Sequence, residues 1–159
     1  MSDYCDCGMP LPYSDCCGLL HQSKTVADSA EQLMRSRYTA FARQNVDYIL
    51  KTQTTLPEKA SRLELERDLS TIKWLRLEVI SYTSVSQTQA QVEFCAYAMD
   101  SSGSHKQLVR HHEISLFCLA EKGWLYESGK IQADSGELKW QRNAPCVCGS
   151  GRKFKRCCA

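Results

Sequence analysis

The segment Trp74-Leu-Arg-Leu-Glu-Val79 marks the point at which the hydrophobic pattern of this chain changes its period. Apolar and charged side chains alternate through it, which is typical of a half-buried β-strand. Residues 91–98 alternate in the same way, and residues 107–119 and 124–128 are similarly rich in strand-forming side chains. Polar turns at 100–103 and 121–123 separate these runs. We therefore expect four antiparallel strands joined as a meander.

Upstream of this segment the apolar residues follow a helical period. Ser29-Ala-Glu-Gln32 has the form of a capping box, in which the first side chain accepts a hydrogen bond from the backbone of the fourth residue. Met34, Tyr38 and Phe41 follow on one helix face. The sequence predicts a helix from this box to about Arg43.

Two further helices are expected before the strands. Asn45 is placed to cap a short helix over 46–51, and Pro57 stands at a favourable first helical position. The apolar stripe of this third helix, which should end before Trp74, is formed by Leu65, Leu69 and Ile72. Helices followed by an antiparallel meander indicate an α+β fold.

The composition is typical of a folded globular domain. The chain has 159 residues, 43% of them hydrophobic and 24% charged, which excludes a disordered chain and suits a domain with a buried core. There is no apolar run near the roughly 20 residues that a membrane-spanning helix needs, and no signal peptide at the start. We expect a cytoplasmic protein with no membrane partner.

Ten cysteines are many for a reducing compartment, where thiols more often serve metal binding or catalysis than disulfides. Eight of them form two clusters with the same internal spacing. These are Cys5, Cys7, Cys16 and Cys17, here the N-terminal tetrad, and Cys146, Cys148, Cys157 and Cys158, here the C-terminal tetrad. At the same shift of the chain Gly8 falls on Gly149 and Tyr13 on Phe154. The two segments are an internal repeat.

Four thiolates on one short loop are the ligand set of a closed, tetrahedral structural zinc site, so we expect two zinc ions per chain. Two other interpretations stay open. Adjacent cysteines such as Cys16 and Cys17 could cycle as a redox disulfide, and each tetrad could hold an iron–sulfur cluster. Cys95 and Cys118 lie in the strand-like runs and are expected to be small buried side chains. His21 could replace a cysteine ligand or pack beside the metal.

The C-terminal segment Pro145-Cys-Val-Cys-Gly-Ser-Gly-Arg-Lys-Phe-Lys-Arg-Cys-Cys158 resembles the SEC-C motif, the zinc knuckle at the carboxyl end of the SecA translocation ATPase. The N-terminal copy keeps the cysteines, Gly8 and Tyr13 but has Met9-Pro-Leu-Pro12 where the motif is Ser-Gly followed by basic residues. The resemblance implies metal binding for both copies. For the C-terminal copy it also implies docking on the acidic face of an export chaperone and near ribosomes.

Three further segments extend the resemblance over the whole chain. Cys17-Gly-Leu-Leu-His21, Leu33-Met-Arg-Ser-Arg-Tyr-Thr-Ala-Phe41 and His112-Glu-Ile-Ser-Leu-Phe117 are similar to the YchJ family of uncharacterised bacterial proteins. That family implies helices packed on a curved antiparallel sheet, the nuclear-transport-factor-2-like fold or cystatin-like cone. The implied domains are an N-terminal knuckle over 1–20, a central domain over 21–136 and a C-terminal knuckle over 137–159. The family implies no settled activity.

Charge is distributed unevenly along the chain, although the formal net charge at pH 7 is only +2. The acidic residues of the first seventeen positions, which hold no Lys or Arg, are Asp3, Asp6 and Asp15. Residues 137–159 hold six basic residues against Glu137 alone. Those inside the C-terminal motif, and our candidates for partner binding, are Arg152, Lys153, Lys155 and Arg156. We expect an acidic partner, either a protein surface such as a chaperone or ribosomal RNA.

The third predicted strand could carry a chemical site. Alternation places His111, Glu113 and Ser115 on one face and Arg110 and His112 on the other. A general base oriented by a carboxylate could be built from His111 and Glu113, or the two could be solvated or mutually paired. Nothing in the chain matches a nucleophile elbow, a phosphate loop or a metalloprotease motif.

Two classes of function follow. The first is a non-enzymatic zinc-binding adaptor that uses the basic knuckle; the second is a small-molecule-binding protein or enzyme with a pocket in the central domain. Arg35 and Tyr38 on the first predicted helix could line such a pocket. An enclosed pocket with His111 and Glu113, or His112 and Arg110, in its wall would favour the second class, and one filled by aromatic side chains the first. Sequence-specific DNA binding is not expected, because Phe154 is the lone aromatic residue of the basic motif.

Overall fold

Four long antiparallel strands make up most of the sheet in the computed structural model, which describes residues 4–55 and 59–159. They are β1 (Ile72–Ser84), β2 (Gln89–Asp100), β3 (Gln107–Ala120) and β4 (Gly123–Ile131), in the order β1-β2-β3-β4. The predicted meander is confirmed. A fifth strand, β5 (Gly136–Glu137), pairs with the start of β3 beside the end of β4 and had no signal in the sequence.

Breaks in the register give this sheet its bends. Bulges lie between Trp74 and Arg76, between Val79 and Ser81, and between Leu116 and Phe117. A bulge inserts an extra residue into one strand and increases the local twist, so long strands carrying several of them curve toward one face. The helices lie on the concave side.

Within the described residues, four α-helices precede the sheet: α1 (Cys17–His21), α2 (Ala30–Ala42), α3 (Val46–Lys51) and α4 (Lys59–Thr71). The predicted caps of α2 and α3 are confirmed, because Ser29 Oγ accepts from the Gln32 N–H and Asn45 Oδ1 from the Tyr48 N–H, each at 3.1 Å. The Gln32 side chain reaches one residue further back than a capping box requires and accepts from the Asp28 N–H at 2.6 Å.

The helix boundaries correct the sequence analysis in two places. Ile72 is the first residue of β1, where it pairs with Asp100, and not the last apolar residue of the third predicted helix. The short α1, which begins at the last cysteine of the N-terminal tetrad, was not predicted. Pro57 and Asp3 lie outside the described residues.

The core lies between α2 and the concave face of the sheet. Leu33, Met34 and Tyr38 of α2 pack against a layer from β2 and β3. The buried residues of that layer are Ala90, Val92, Ala96 and Phe117. Small side chains on β2 let the helix come close to the sheet, whereas the larger rings surround a cavity described below.

Candidate metal centres and central cavity

The N-terminal tetrad is built from a loop and the start of a helix. Cys5 and Cys7 lie in the loop, Cys16 follows a single 3₁₀ turn, and Cys17 opens α1. The Gly8 N–H donates to the Cys5 carbonyl at 3.0 Å, and Gly8 has a φ of +84° that favours glycine over other residues. The tight turn brings the four sulfur atoms within 4.8 Å of one another.

The C-terminal tetrad repeats this backbone arrangement. The Gly149 N–H donates to the Cys146 carbonyl at 3.0 Å with a φ of +81°, and a 3₁₀ turn over Phe154–Arg156 precedes Cys157. Its four sulfur atoms also lie within 4.8 Å of one another. The repeat found in the sequence is thus a repeat of structure as well.

The sulfur–sulfur distances fit a metal site. Tetrahedral zinc at about 2.3 Å from each sulfur places neighbouring sulfurs about 3.8 Å apart. The Sγ distance is 3.6 Å for Cys7 and Cys16 and 3.6 Å for Cys148 and Cys157. These distances exceed a disulfide bond of about 2.05 Å by far, and all ten cysteines are free thiols. Both tetrads therefore suit a bound metal ion.

The thiols of the N-terminal tetrad are close enough to shift one another's pKa values. Side-chain interactions with Cys17 and then with Cys7 lower the pKa of the Cys5 thiol. The pKa of Cys17 is raised in turn, mainly by its interaction with Cys5. A bound metal ion would take the place of the thiol protons, because thiolates are its ligands.

Helix α2 holds the N-terminal tetrad by polar contacts. Arg35 Nη1 donates to the Cys7 carbonyl at 2.9 Å and Thr39 Oγ1 to the sulfur of Cys17 at 3.3 Å. His21 is not a member of the tetrad. Its two ring nitrogens lie 2.9 Å from the Tyr13 hydroxyl and 2.9 Å from the Ser36 carbonyl, so this histidine packs beside the cysteines.

The C-terminal knuckle is fixed to the convex face of the sheet by apolar contacts. Met99 of β2 and Leu108 of β3 form one buried cluster with Val147 and Phe154. The basic residues of the motif, in contrast, are exposed. They are Arg152, Lys153, Lys155 and Arg156.

A cavity of about 500 Å³ lies between the helices and the concave face of the sheet. His111 and Glu113 are in its wall, which is the arrangement that favours a small-molecule site in the central domain. The two side chains are paired, with His111 Nε2 2.6 Å from Glu113 Oε2. Glu113 also accepts from Ser115 at 2.6 Å and from Tyr126 at 3.1 Å. Burial opposes ionisation of this carboxyl, but the hydrogen bonds from these side chains outweigh it and hold the Glu113 pKa below its usual value.

The cavity also contains a residue that sequence reasoning missed. Arg37 of α2 is only 7% exposed and lines the cavity beside Tyr38. Arg35, which the sequence suggested as a pocket residue together with Tyr38, faces the N-terminal tetrad instead. An arginine on a helix is usually solvated, so no signal in the sequence distinguished Arg37 from its neighbour.

Comparisons with known proteins agree with this architecture. The profile of the family described as "YchJ, middle NTF2-like domain" matches residues 29–129, and that of the SEC-C motif matches residues 142–159. A UPF0225 protein of Photorhabdus laumondii is 36% identical over 160 residues, which cover 99% of each chain. Among the helices of the described residues, none is long and apolar enough to cross a membrane.

Two solved structures have the same fold. The crystal structure of a SEC-C motif containing protein of Psychrobacter arcticus is 34% identical, with a TM-score of 0.63 over 97% of this chain and 94% of that one. The solution structure of a SEC-C motif containing protein of Rhodopseudomonas palustris is 33% identical, with a TM-score of 0.65 over 79% of this chain and 96% of that one. The chain belongs to the YchJ family, with a nuclear-transport-factor-2-like middle domain and a C-terminal SEC-C motif.

Proposed function

We propose that the protein is a zinc-binding adaptor whose basic C-terminal knuckle docks on an acidic surface of a partner protein. The observation that carries this proposal is the arrangement around Phe154, which is 7% exposed and packs on the sheet while the basic residues on either side of it are exposed. A loop pinned by a metal and by a buried ring presents its charges in a fixed pattern, so less conformational entropy is lost on binding.

Zinc is the metal that this donor set favours. Each tetrad offers four sulfur ligands, and a closed site of four cysteines leaves no open position for substrate or water. In this proposal two zinc ions per chain act as structural cross-links. When bound, each zinc ion would hold its knuckle loop in one conformation.

Charge supports an acidic partner for the C-terminal knuckle even with metal bound. A zinc ion with four thiolates carries about two negative charges. The six basic residues of positions 137–159 outnumber these charges and Glu137 together. The knuckle therefore stays positive, and an acidic surface would steer and orient the encounter.

The buried position of Phe154 favours protein over single-stranded RNA. Proteins that bind single strands without sequence preference stack bases on exposed aromatic side chains. Phe154 is turned into the cluster with Met99 and Leu108 and is not available for stacking. Contact with ribosomal RNA through phosphates alone is the alternative that the experiment below distinguishes.

The metal content is tested first. Elemental analysis of protein purified without chelator should give two zinc ions per chain, and eight thiols should react only after denaturation with chelator. Iron in place of zinc, or eight thiols that react freely in the native protein, would contradict the structural role of the metal.

Docking is tested with two charge-reversed proteins of equal net charge. Lys153→Glu with Arg156→Glu changes the knuckle, and Lys122→Glu with Lys130→Glu changes two exposed lysines of the central domain. Quantitative affinity capture should recover salt-sensitive acidic proteins with the wild type and the second variant and lose them with the first. Equal recovery by both variants would contradict the proposal. Capture that disappears after nuclease treatment would assign the partner to RNA.

A further inference from the structure

The central cavity has the size and the wall of a small-molecule site. Its volume of about 500 Å³ lies within the range of about 300–1,000 Å³ found for ligand pockets. Most of its wall is apolar, and the aromatic side chains in it are Tyr38, Phe41, Trp74, Phe94, Phe117 and Tyr126. Rings on both the helix side and the sheet side leave space between them for a flat or branched apolar body.

Arg37 places a positive charge in this wall without a carboxylate bonded to it. Its guanidinium donates to the Ile49 carbonyl at 2.8 Å, to Thr52 Oγ1 at 2.7 Å and to Gln53 Oε1 at 3.4 Å. All three acceptors are neutral. Burial lowers the pKa of Arg37 to about 10, so the group is still charged at neutral pH. A buried cation of this kind is stabilised by an anion.

Glu113 does not serve as that anion. Its Oε1 accepts from Ser115 and Tyr126, and its Oε2 is paired with His111. Tyr126 contacts both groups, because its hydroxyl donates to Glu113 and the Arg37 guanidinium lies 4.7 Å from its ring centroid. The carboxylate of Glu113 is therefore occupied by its own neighbours, and Arg37 is left for a ligand.

Trp74, another residue of this wall, has a hydrogen-bond donor without an acceptor in the described part of the chain. Its Nε1 is buried and has no acceptor among the residues that the structure describes. Leaving a buried N–H without an acceptor costs on the order of 1–3 kcal/mol. The indole ring packs edge-on against Tyr38 at 5.8 Å and Phe41 at 6.3 Å between centroids, so it is held in position at the cavity.

We propose that the cavity binds a small organic carboxylate with an apolar, aromatic or branched aliphatic body. The carboxylate faces Arg37, and the body lies between the rings of the two layers. Arg37 is a buried cation whose hydrogen-bond acceptors are all neutral, which favours a ligand that brings a negative charge. The site is separate from the basic knuckle, which lies on the convex face of the sheet.

The test uses a panel of carboxylates with matched neutral amides. Benzoate, 2-naphthoate and octanoate are each titrated against the intact, metal-loaded protein by calorimetry, beside the corresponding carboxamides. The indole N–H signal of Trp74, assigned by its loss in Trp74→Phe, is followed by NMR. We expect at least one carboxylate to bind with a Kd below 1 mM, at least tenfold tighter than its amide, and to shift the Trp74 signal.

Three variants locate the binding. Arg37→Met should reduce the affinity for the carboxylate at least tenfold and leave that for the amide nearly unchanged. Because Arg37→Met could fail to fold, Leu65→Trp provides a second test by placing a larger side chain at a partly exposed position of the cavity wall. Lys153→Glu with Arg156→Glu should bind the carboxylate like the wild type.

Several outcomes would overturn the proposal. They are the absence of saturable binding by any carboxylate of the panel, equal affinity for an acid and its amide, and binding that persists in the folded Leu65→Trp protein. Loss of binding in the knuckle variant would place the anion on the basic surface and would also overturn it. None of these outcomes bears on the adaptor proposal, whose test is the capture of an acidic partner.

Discussion

The guanidinium carbon of Arg43 lies 3.7 Å from the centroid of the Tyr13 ring. The C-terminal end of α2 therefore covers the turn that joins the two halves of the N-terminal tetrad. Arg43 Nε also donates to Asp6 Oδ2 at 2.6 Å. Both partners lie in the N-terminal knuckle and the arginine caps α2, so this one side chain ties the N-terminal tetrad to the helix that packs on the core.

Arg43→Ala should loosen the N-terminal knuckle without unfolding the domain. A cation over an aromatic ring at a partly exposed site contributes about 0.5–1 kcal/mol, and an exposed ion pair about 0.2–1 kcal/mol. We expect a loss of about 1 kcal/mol in unfolding free energy and faster amide exchange over residues 5–17. Arg62→Ala, which removes exposed ion pairs with Asp47 and Glu66, should leave that exchange unchanged. Equal exchange rates in the Arg43 variant and the wild type would contradict the coupling.

Ser36→Ala should destabilise the core by more than its small change in volume. Ser36 is fully buried, donates to the Leu33 carbonyl at 2.7 Å and lies 2.7 Å from the Tyr48 hydroxyl, which must therefore donate to it. The variant leaves that hydroxyl without an acceptor, at a cost of about 1–3 kcal/mol. Urea unfolding of the variant and the wild type measures this loss of stability.

Tyr48→Phe removes the donor instead, so the double variant Ser36→Ala with Tyr48→Phe should lose less stability than the sum of the two single changes. Urea unfolding of the wild type, the two single variants and the double variant measures this coupling free energy, which we expect to be about 1 kcal/mol or more. Strict additivity would show that the two hydroxyls contribute independently, contrary to the geometry.

The sequence was sufficient to predict the four long strands and the grouping of eight cysteines into two tetrads. Alternation along β1 and β2 reports which face is buried, and the equal spacing of cysteines in the two tetrads reports a repeated loop. Ile72 was assigned to the helix because an apolar residue between a helix and a strand fits both the helical period and the strand period. Its pairing with Asp100 is a tertiary contact that the local pattern does not contain.

Arg37 could not be predicted for a related reason. It lies next to Tyr38 in an ordinary helical pattern, and its acceptors are the Ile49 carbonyl and the side chains of Thr52 and Gln53, twelve to sixteen residues further along the chain. Only the packing of α3 against α2 brings them together. The cavity also depends on the curvature of the sheet, which comes from bulges that have no sequence signature here.

Cys157→Ser should halve the metal content and lower the melting temperature while the central domain still melts cooperatively. The C-terminal knuckle shares its apolar cluster with Met99 and Leu108, which are 7% and 5% exposed. Unfolding of the knuckle uncovers these two side chains but leaves the separate core around Leu33 and Phe117 in place. Elemental analysis and calorimetry measure the two effects.

Cys118→Ser is the matched control, since Cys118 lies in β3 outside both tetrads. It should keep two metal ions per chain. Loss of all metal from the Cys157 variant, or loss of cooperative melting, would show that the knuckle and the domain do not fold as distinct units.

His112 should make stability depend on pH. Its ring lies on the convex face, with Nε2 2.9 Å from Glu93 of β2 and Nδ1 2.6 Å from Asp134 of the segment that leads into β5. Arg110 pairs with the same Asp134 at 3.0 Å. The hydrogen bond with Glu93, followed by that with Asp134, raises the His112 pKa above its ordinary value.

Because the folded protein binds this proton more tightly than the unfolded chain, the stabilisation is complete below about pH 6.5, the unfolded value, and is lost as pH rises through the higher folded value. We expect the unfolding free energy of the wild type to fall over that window relative to His112→Gln. NMR titration of the His112 ring should give a pKa above 6.5 that Glu93→Gln lowers. A pKa at or below 6.5 in the wild type would mean that the two carboxylates do not hold the protonated ring.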